Sequence, residues 1–170
     1  VERMADPRFN IVRTHNEGII AHSRNVGIRE ARGQWVAFLD ADDIWRPEKL
    51  EAVKAAALAN PTAILVTHDV QTIDHGVPGP TTSCTPERTN AYEALLFDRN
   101  SLLTVSVAVR KSAALEQGGF SENRAFVTVE DYEFWLRLAL IGEFVFLPTV
   151  LGEWHAHGAN NSRNSRLQAA

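Results

Sequence analysis

Three carboxylates follow a short apolar run in the first third of the chain. Asp40, Asp42 and Asp43 come directly after residues 35–39, which are Trp-Val-Ala-Phe-Leu. Such a run is typical of a strand buried on both faces of a sheet, and ligands bind in α/β sheets where the strands end. Crowded carboxylates repel one another unless a cation lies between them, and Mg²⁺ and Mn²⁺ prefer oxygen ligands. The sequence therefore predicts a metal site for a phosphate-bearing ligand at this turn. The alternative is structural, because an acid such as Asp43 is also common before a helix, and one is predicted to begin near Pro47.

A second pair of acids, Glu130 and Asp131, stands at the start of a predicted helix. The segment from Thr128 to Asp131 matches the spacing of a capping box, so helix-end electrostatics explain both acids without any catalysis. The functional alternative is that one carboxylate faces a cleft as a general base. Trp135 would then lie one turn further along the same face and stack on a sugar ring. The local pattern leaves both interpretations open.

Two histidines, His155 and His157, follow Gly152 near the end of the chain. In an extended segment they point to opposite faces, so one of them is expected to reach a given metal ion. The sequence contains no His-Glu-x-x-His, Cys-x-x-Cys, Gly-x-Ser-x-Gly, Gly-x-Gly-x-x-Gly or P-loop motif. These absences argue against zinc proteases, zinc ribbons, serine hydrolases, conventional Rossmann cofactor sites and P-loop NTPases.

Alternating helical and strand patterns must position these residues, which predicts an α/β fold. Helices are expected over residues 19–31, 47–59, 92–97, 111–117 and 130–141, and strands over residues 9–13, 35–39, 64–67, 104–109 and 144–147. Residues 69–86 are rich in Gly, Pro, Thr and Asp, so we expect a surface loop there. Pro148 is expected to end the last strand.

Composition limits the class of protein. The chain has 170 residues, 45% of them hydrophobic, and a formal net charge of -4 without any block of Lys or Arg. It lacks the basic stripe of a nucleic-acid surface and an apolar run of roughly 18 residues. Because its first residues contain no apolar stretch, we expect no signal peptide. The single cysteine, Cys84, favours a reducing compartment. We expect one domain that binds no nucleic acid.

Taken in order, three motifs resemble those of the family 2 glycosyltransferases, which have the GT-A fold. The first runs from Ser23-Arg24-Asn25-Val26-Gly27 through Phe38-Leu39-Asp40-Ala41-Asp42-Asp43 to Trp45, Pro47 and Lys49. The second comprises Gly118-Gly119-Phe120 and the segment 130–138, Glu-Asp-Tyr-Glu-Phe-Trp-Leu-Arg-Leu. The third is His157-Gly158 followed by Asn161-Ser162.

The resemblance implies transfer of a sugar from a nucleotide-diphosphate donor to an acceptor hydroxyl, with inversion at the anomeric carbon. Asp40 and Asp42 would form an Asp-x-Asp motif that holds Mn²⁺ or Mg²⁺, with Asp42 as the direct ligand and His157 as a further contact. Asp131 would be the general base, with Glu130 as second choice. Arg24, Asn25 and Asp40 would bind the nucleotide, and Trp135 and Trp45 the acceptor.

The family pattern also suggests an incomplete fold. Members begin with two nucleotide-binding strands, and the first residues here resemble the stretch after them. We therefore expect a GT-A-like, Rossmann-related mixed sheet flanked by helices that is amino-terminally incomplete, over residues 1–158, followed by a polar tail over residues 159–170. His155 stands where the family often has Arg, which weakens the expectation of a phosphate contact there.

The resemblance implies a cellular setting by analogy only. A glycan or lipid-linked acceptor, a cytoplasmic location and peripheral association with the inner face of the plasma membrane would fit. Two other functions remain open: a non-catalytic module that binds nucleotide sugars or glycans, and a metal-dependent nucleotide-sugar phosphohydrolase.

Overall fold

The computed structural model describes residues 6–156, which form a mixed six-stranded sheet with helices on both faces. The α-helices are α1 Ile20–Glu30, α2 Lys49–Ala59, α3 Ala91–Glu93, α4 Lys111–Glu116 and α5 Glu130–Ala139. The strands are β1 Trp35–Ala37, β2 Ile44–Trp45, β3 Ala63–Asp74, β4 Val77–Thr82, β5 Ala108–Arg110 and β6 Glu143–Ala156. A π-helical turn, Ala94–Asp98, continues α3, and two 3₁₀ turns span Thr104–Ser106 and Arg124–Phe126. The mixed sheet flanked by helices confirms the predicted fold class.

The sheet runs in the order β1-β5-β3-β6-β2, and β4 pairs with the second half of β3. The β3–β6 pair is parallel and the other pairs are antiparallel. Within the described residues, β1 is hydrogen-bonded to β5 alone, so the strand before the acidic turn lies at an edge of the sheet.

Alternating side chains of β3 and β5 pack against different helices. Leu65 and Val109 face the larger core, which contains residues of α1, α4 and α5, whereas Val66 and Ala108 face α2. Opposite faces for successive residues follow from the period of two in a strand. The sheet is therefore covered on both sides, and the loops that carry the acids lie at its edges.

Four predictions about the strands are wrong, and the fourth concerns Pro148. Residues 69–86 are not a loop: β3 and β4 form a hairpin through His75 and Gly76, whose φ angles are +49° and +78°. Positive φ at both central residues suits the right-handed twist of a two-residue hairpin. Residues 9–13 form no strand, and of residues 104–109 only the last two belong to one.

Pro148 does not end β6. The strand continues to Ala156, and its register with β3 shifts between His68 and Val70, opposite the proline. A β-bulge tolerates a proline because one residue of the bulged strand is left out of the hydrogen-bond ladder.

Candidate functional site

The acidic turn follows β1, as predicted, and leads into β2, a strand that was not predicted. Its three carboxylates have different surroundings. Asp42 is exposed, whereas Asp40 and Asp43 are half-buried. The backbone N–H of His155 on β6 donates to Asp43 Oδ1 at 3.1 Å. Burial, together with the charges of Asp42 and Asp40, raises the pKa of Asp43 to about 6. Negative charge is therefore concentrated here, and a cation would relieve the repulsion.

One arginine joins the acidic turn to α5. Arg24 Nη2 donates to both carboxylate oxygens of Asp40, at 2.8 and 3.1 Å, and Nη1 donates to Glu130 Oε1 at 3.0 Å. The Arg24 and Glu130 side chains are only 12% and 11% exposed. A guanidinium fork shared by two carboxylates holds their relative positions. The Arg24 guanidinium therefore bridges Asp40 and the start of α5, where Asp131 lies.

Glu130 also shapes the chain that precedes it. Its Oε2 accepts the backbone N–H of Thr128 at 2.8 Å, and Thr128 has a φ of +82°. This conformation is unfavourable for a β-branched residue, so the contact offsets local strain. The capping box itself is not formed, because Thr128 Oγ1 has no partner within the described chain, although both acids do stand in the first turn of α5. Glu130 is buried with both oxygens engaged, which contradicts its alternative assignment as general base.

Asp131 is half-buried and faces the 3₁₀ turn Thr104–Ser106. Its Oδ1 accepts the backbone N–H of Tyr132 at 2.7 Å, and its Oδ2 accepts the Thr104 hydroxyl at 3.3 Å. Burial and the neighbouring charge of Glu130 raise the pKa of Asp131, while the Tyr132 N–H, Arg24 and Thr104 oppose this shift. A carboxylate with a raised pKa that remains hydrogen-bonded is suited to proton abstraction.

Trp135 belongs to the hydrophobic core. It is wholly buried, and its ring packs against Phe38, Phe120 and Phe134 with centroids 6.1, 5.5 and 5.3 Å away. The prediction that it stacks on a sugar is wrong because residue 135 falls on the face of α5 that covers the sheet.

Asn25 is likewise structural, and its predicted contact with the nucleotide is wrong. Its side chain accepts the N–H of Phe120 at 2.8 Å and donates to the Phe120 carbonyl at 2.9 Å. Gly119, with φ of +74°, fits only as glycine, since a Cβ there would lie 2.3 Å from Asn25 Oδ1. Asn25 therefore anchors the Gly-Gly-Phe segment to α1.

We expect Asn25→Ala to lower the free energy of unfolding by about 2 kcal/mol, because it leaves the N–H and C=O of Phe120 buried without partners. Urea denaturation measures this loss. Asn16→Ala, which removes a half-buried asparagine just before α1 whose side-chain hydrogen bonds are exposed, is the control. A loss no larger than that of the control would contradict the anchoring role.

Trp45 is half-buried beside the acidic turn. Its indole N–H donates to the Val105 carbonyl at 3.2 Å, and the ammonium of Lys49 lies 4.2 Å from the centre of its ring. Lys49 occupies one face of the indole, so an acceptor could stack only on the other. Its role in acceptor binding stays a prediction.

Sequence reasoning assigned no role to Lys49 and His68, which are both wholly buried near the acidic turn. Burial lowers the pKa of Lys49 to about 7 and that of His68 to about 4. His68 Nδ1 contacts the Asp69 carbonyl at 2.8 Å, while its Nε2 has no partner in the described part of the chain. Lys49 belongs to the first of the three family motifs, but nothing in that motif indicated that its ammonium would be buried.

The metal site stays a prediction. Residues 6–156 contain no group of three or more His, Cys, Asp or Glu side chains arranged to hold a metal ion. Mg²⁺ at phosphate sites is usually held by one or two carboxylates plus the phosphates, and Asp42 with Asp40 matches that smaller set. His157, the third predicted ligand, lies outside the described residues, as does the predicted tail. Over residues 6–156, no helix is long and apolar enough to span a membrane.

The comparisons with known proteins decide the family. Residues 1–118 match the model of glycosyl transferase family 2. The chain belongs to this family. It is 31% identical over 155 residues to an uncharacterised glycosyltransferase of Haemophilus influenzae, covering 90% of this chain and 51% of that protein. It is 29% identical over 133 residues to the putative teichuronic acid biosynthesis glycosyltransferase TuaG of Bacillus subtilis, covering 78% of this chain and 50% of TuaG.

A solved structure shows the same fold. S. aureus TarS 1–349, in complex with UDP-GlcNAc, superposes with a TM-score of 0.64 at 16% identity, over 85% of this chain and 41% of TarS. The likeness confirms the GT-A-like fold. The chain spans about half the length of these glycosyltransferases.

Proposed function

We propose that this family 2 glycosyltransferase transfers a sugar from a nucleoside diphosphate donor to an acceptor hydroxyl with inversion, assisted by Mn²⁺ or Mg²⁺. The observation that carries the proposal is the double contact of Arg24 with Asp40 and Glu130. This contact holds the acidic turn beside the end of α5 that carries Asp131. A nucleotide-sugar donor bound at the acidic turn and the general base Asp131 would then face the same cleft.

The acidic turn supplies the donor side of this mechanism. Asp42, which is exposed, would be the direct metal ligand, and Asp40 would contact the ribose or the water shell of the metal. When bound, the divalent cation would stabilise negative charge on the departing nucleoside diphosphate. Arg24 would act on the donor through Asp40, because its Nη atoms are already engaged by carboxylates.

Asp131 supplies the acceptor side. Its carboxylate would accept the proton of the attacking hydroxyl, which increases the nucleophilicity of that oxygen. Attack from the face opposite the leaving group inverts the anomeric carbon. The half-exposed Trp45 remains the candidate for contact with the acceptor sugar.

The setting is proposed from the relatives. TuaG is named for teichuronic acid biosynthesis, and the TarS complex contains UDP-GlcNAc. These names favour a UDP-linked donor and a glycan or lipid-linked acceptor in bacterial surface polysaccharide assembly. A cytoplasmic protein that associates peripherally with the inner face of the plasma membrane would fit.

Calorimetric titration of the full-length protein with UDP, with and without Mn²⁺, tests the donor side. We expect binding that depends on Mn²⁺, and we expect Asp42→Asn to weaken it at least about tenfold because a carboxylate ligand is lost. Asp98→Asn is the matched control, because Asp98 is paired with Arg88 outside this turn.

Metal-independent binding of UDP, or equal affinities in the two variants, would contradict the metal assignment. A panel of UDP-sugars with acceptor glycans then separates transfer from hydrolysis, since a phosphohydrolase would use water as its only productive acceptor. Binding without turnover would favour the non-catalytic module.

A further inference from the structure

The 3₁₀ turn Thr104–Ser106 lies between the two halves of the candidate site. It ends one residue before β5, and all three of its residues are buried, with Val105 and Ser106 wholly inaccessible. Its neighbours include the residues that follow the acidic turn on one side and Asp131 on the other. This turn is therefore in contact with both the donor and the acceptor sides.

Two donors from the side of the acidic turn hold the middle of the 3₁₀ turn. Lys49 Nζ at the start of α2 and Trp45 Nε1 on β2 both donate to the Val105 carbonyl, the indole at 3.2 Å. The Lys49 ammonium is wholly buried and also lies over the Trp45 ring. A carbonyl that accepts two hydrogen bonds has little freedom to rotate.

The end of the turn is held from the sheet. Ser106 Oγ lies 2.9 Å from Thr67 Oγ1 on β3, and it donates to the Leu103 carbonyl at 2.7 Å. Together with the contacts to the Val105 carbonyl, this fixes the peptide between Val105 and Ser106 from α2, β2 and β3. Buried hydrogen bonds of the neighbouring residues therefore limit the positions that the Thr104 side chain can take.

Thr104 directs its hydroxyl at the proposed base. Thr104 Oγ1 donates to Asp131 Oδ2 at 3.3 Å, and the opposite oxygen, Oδ1, accepts the Tyr132 N–H at 2.7 Å. Both oxygens are thus held, yet each keeps a lone pair for the proton of an acceptor. Hydrogen bonds of this kind are often long without substrate and shorten in the reactive complex.

We propose that Thr104 is a positioning residue, whose hydroxyl orients the Asp131 carboxylate toward the acceptor while Lys49, Trp45 and Thr67 hold the turn in place. The proposal rests on the proposed function, because it takes Asp131 as the base. It adds a residue from outside the motifs that carried the family resemblance.

The same hydrogen bond tunes the proton affinity of the base. Glu130 on α5 and Arg24 on α1 are the charged groups that act on Asp131 within the described residues, and burial with Glu130 raises its pKa. Donation from Thr104 stabilises the ionised carboxylate and so lowers that pKa. Without the hydroxyl, Asp131 would hold its proton to higher pH.

Thr104→Val tests this role, because valine keeps the shape and removes the donor. We expect the acidic limb of the kcat–pH profile to move up by about half a unit to one unit, and kcat on the plateau to fall about tenfold. Thr104→Ser, which restores a hydroxyl, is expected to return both values toward those of the parent, with KM for the donor unchanged. Thr62→Val is the matched control, since it makes the same change at an exposed threonine whose hydroxyl donates to Glu143.

A second measurement does not depend on turnover. NMR titration of the Asp131 carboxyl carbon in the parent and in Thr104→Val is expected to show the higher pKa in the variant. An unchanged Asp131 pKa, or an equal loss of kcat at every pH that serine does not rescue, would overturn the proposal. Absence of any transfer by the parent would contradict the proposed function instead, and the NMR result would still decide the role of Thr104.

Discussion

Asp131→Asn is expected to lower kcat for sugar transfer by about 10²–10⁴-fold, the range associated with loss of a general base. Asparagine keeps the size of the side chain and an oxygen for the Thr104 hydroxyl, but its amide cannot accept the proton of the acceptor. The affinity for UDP should change little, because Asp131 acts on the acceptor and the acidic turn on the donor.

Steady-state kinetics with calorimetry of UDP binding separates these effects. Asp98→Asn makes the same chemical change at a residue paired with Arg88, and we expect it to keep the activity of the parent. Because burial and Glu130 raise the pKa of Asp131, the acidic limb of the parent profile should lie above the ordinary range of an aspartate. Near-normal kcat in Asp131→Asn would remove Asp131 from the mechanism, whereas loss of UDP binding would place it on the donor side.

Arg24→Met is expected to lower the free energy of unfolding by about 3–5 kcal/mol. The change leaves the buried Glu130 without its cation, and an uncompensated buried charge is costly. It also removes the side chain that hydrogen-bonds to both Asp40 and Glu130, so the acidic turn should lose its fixed position. Urea denaturation measures the first effect, and a weaker UDP affinity reports the second.

Two further variants make the Arg24 prediction specific. Arg24→Met combined with Glu130→Gln should recover part of the lost stability, because the buried negative charge is gone. Arg88→Met removes the arginine of a more exposed pair, with side chains 47% and 24% exposed, and should cost less than about 1 kcal/mol. Equal losses for Arg24→Met and Arg88→Met would mean that the bridge to Glu130 contributes nothing beyond a surface ion pair.

The helices were predictable from local signals. The apolar spacing of α5, and the glycines after α1 and α4, place these elements within about two residues of where they are found. The strands were less predictable because their ends depend on partners far away in sequence. β6 passes Pro148 only because a bulge opposite β3 accommodates it, and Thr104–Ser106 curls into a turn because Lys49 and Trp45 hold its carbonyl.

The sequence indicated which residue types form the site, but it was less informative about the role of each residue. The acidic turn lies where the apolar run predicted it, since a strand that ends in charged residues must bring them to the edge of a sheet. Asn25, Glu130 and Trp135 lie within the family motifs but are buried, and they hold α1, α5 and the core together. A motif records that a residue type is needed at a position, whether for chemistry or for support.

By itself, the sequence determined the family, the fold class and the position of the carboxylates at the acidic turn and at the start of α5. Only the tertiary structure decided that Arg24 joins these two sites, that Asp131 faces Thr104, and that Trp135 points into the core. The reason is geometric: spacing along a chain sets the face of a helix or strand, whereas contacts depend on what packs against that face. Asp40, Arg24, Thr104 and Asp131 come from four separate segments, and no local pattern encodes their meeting.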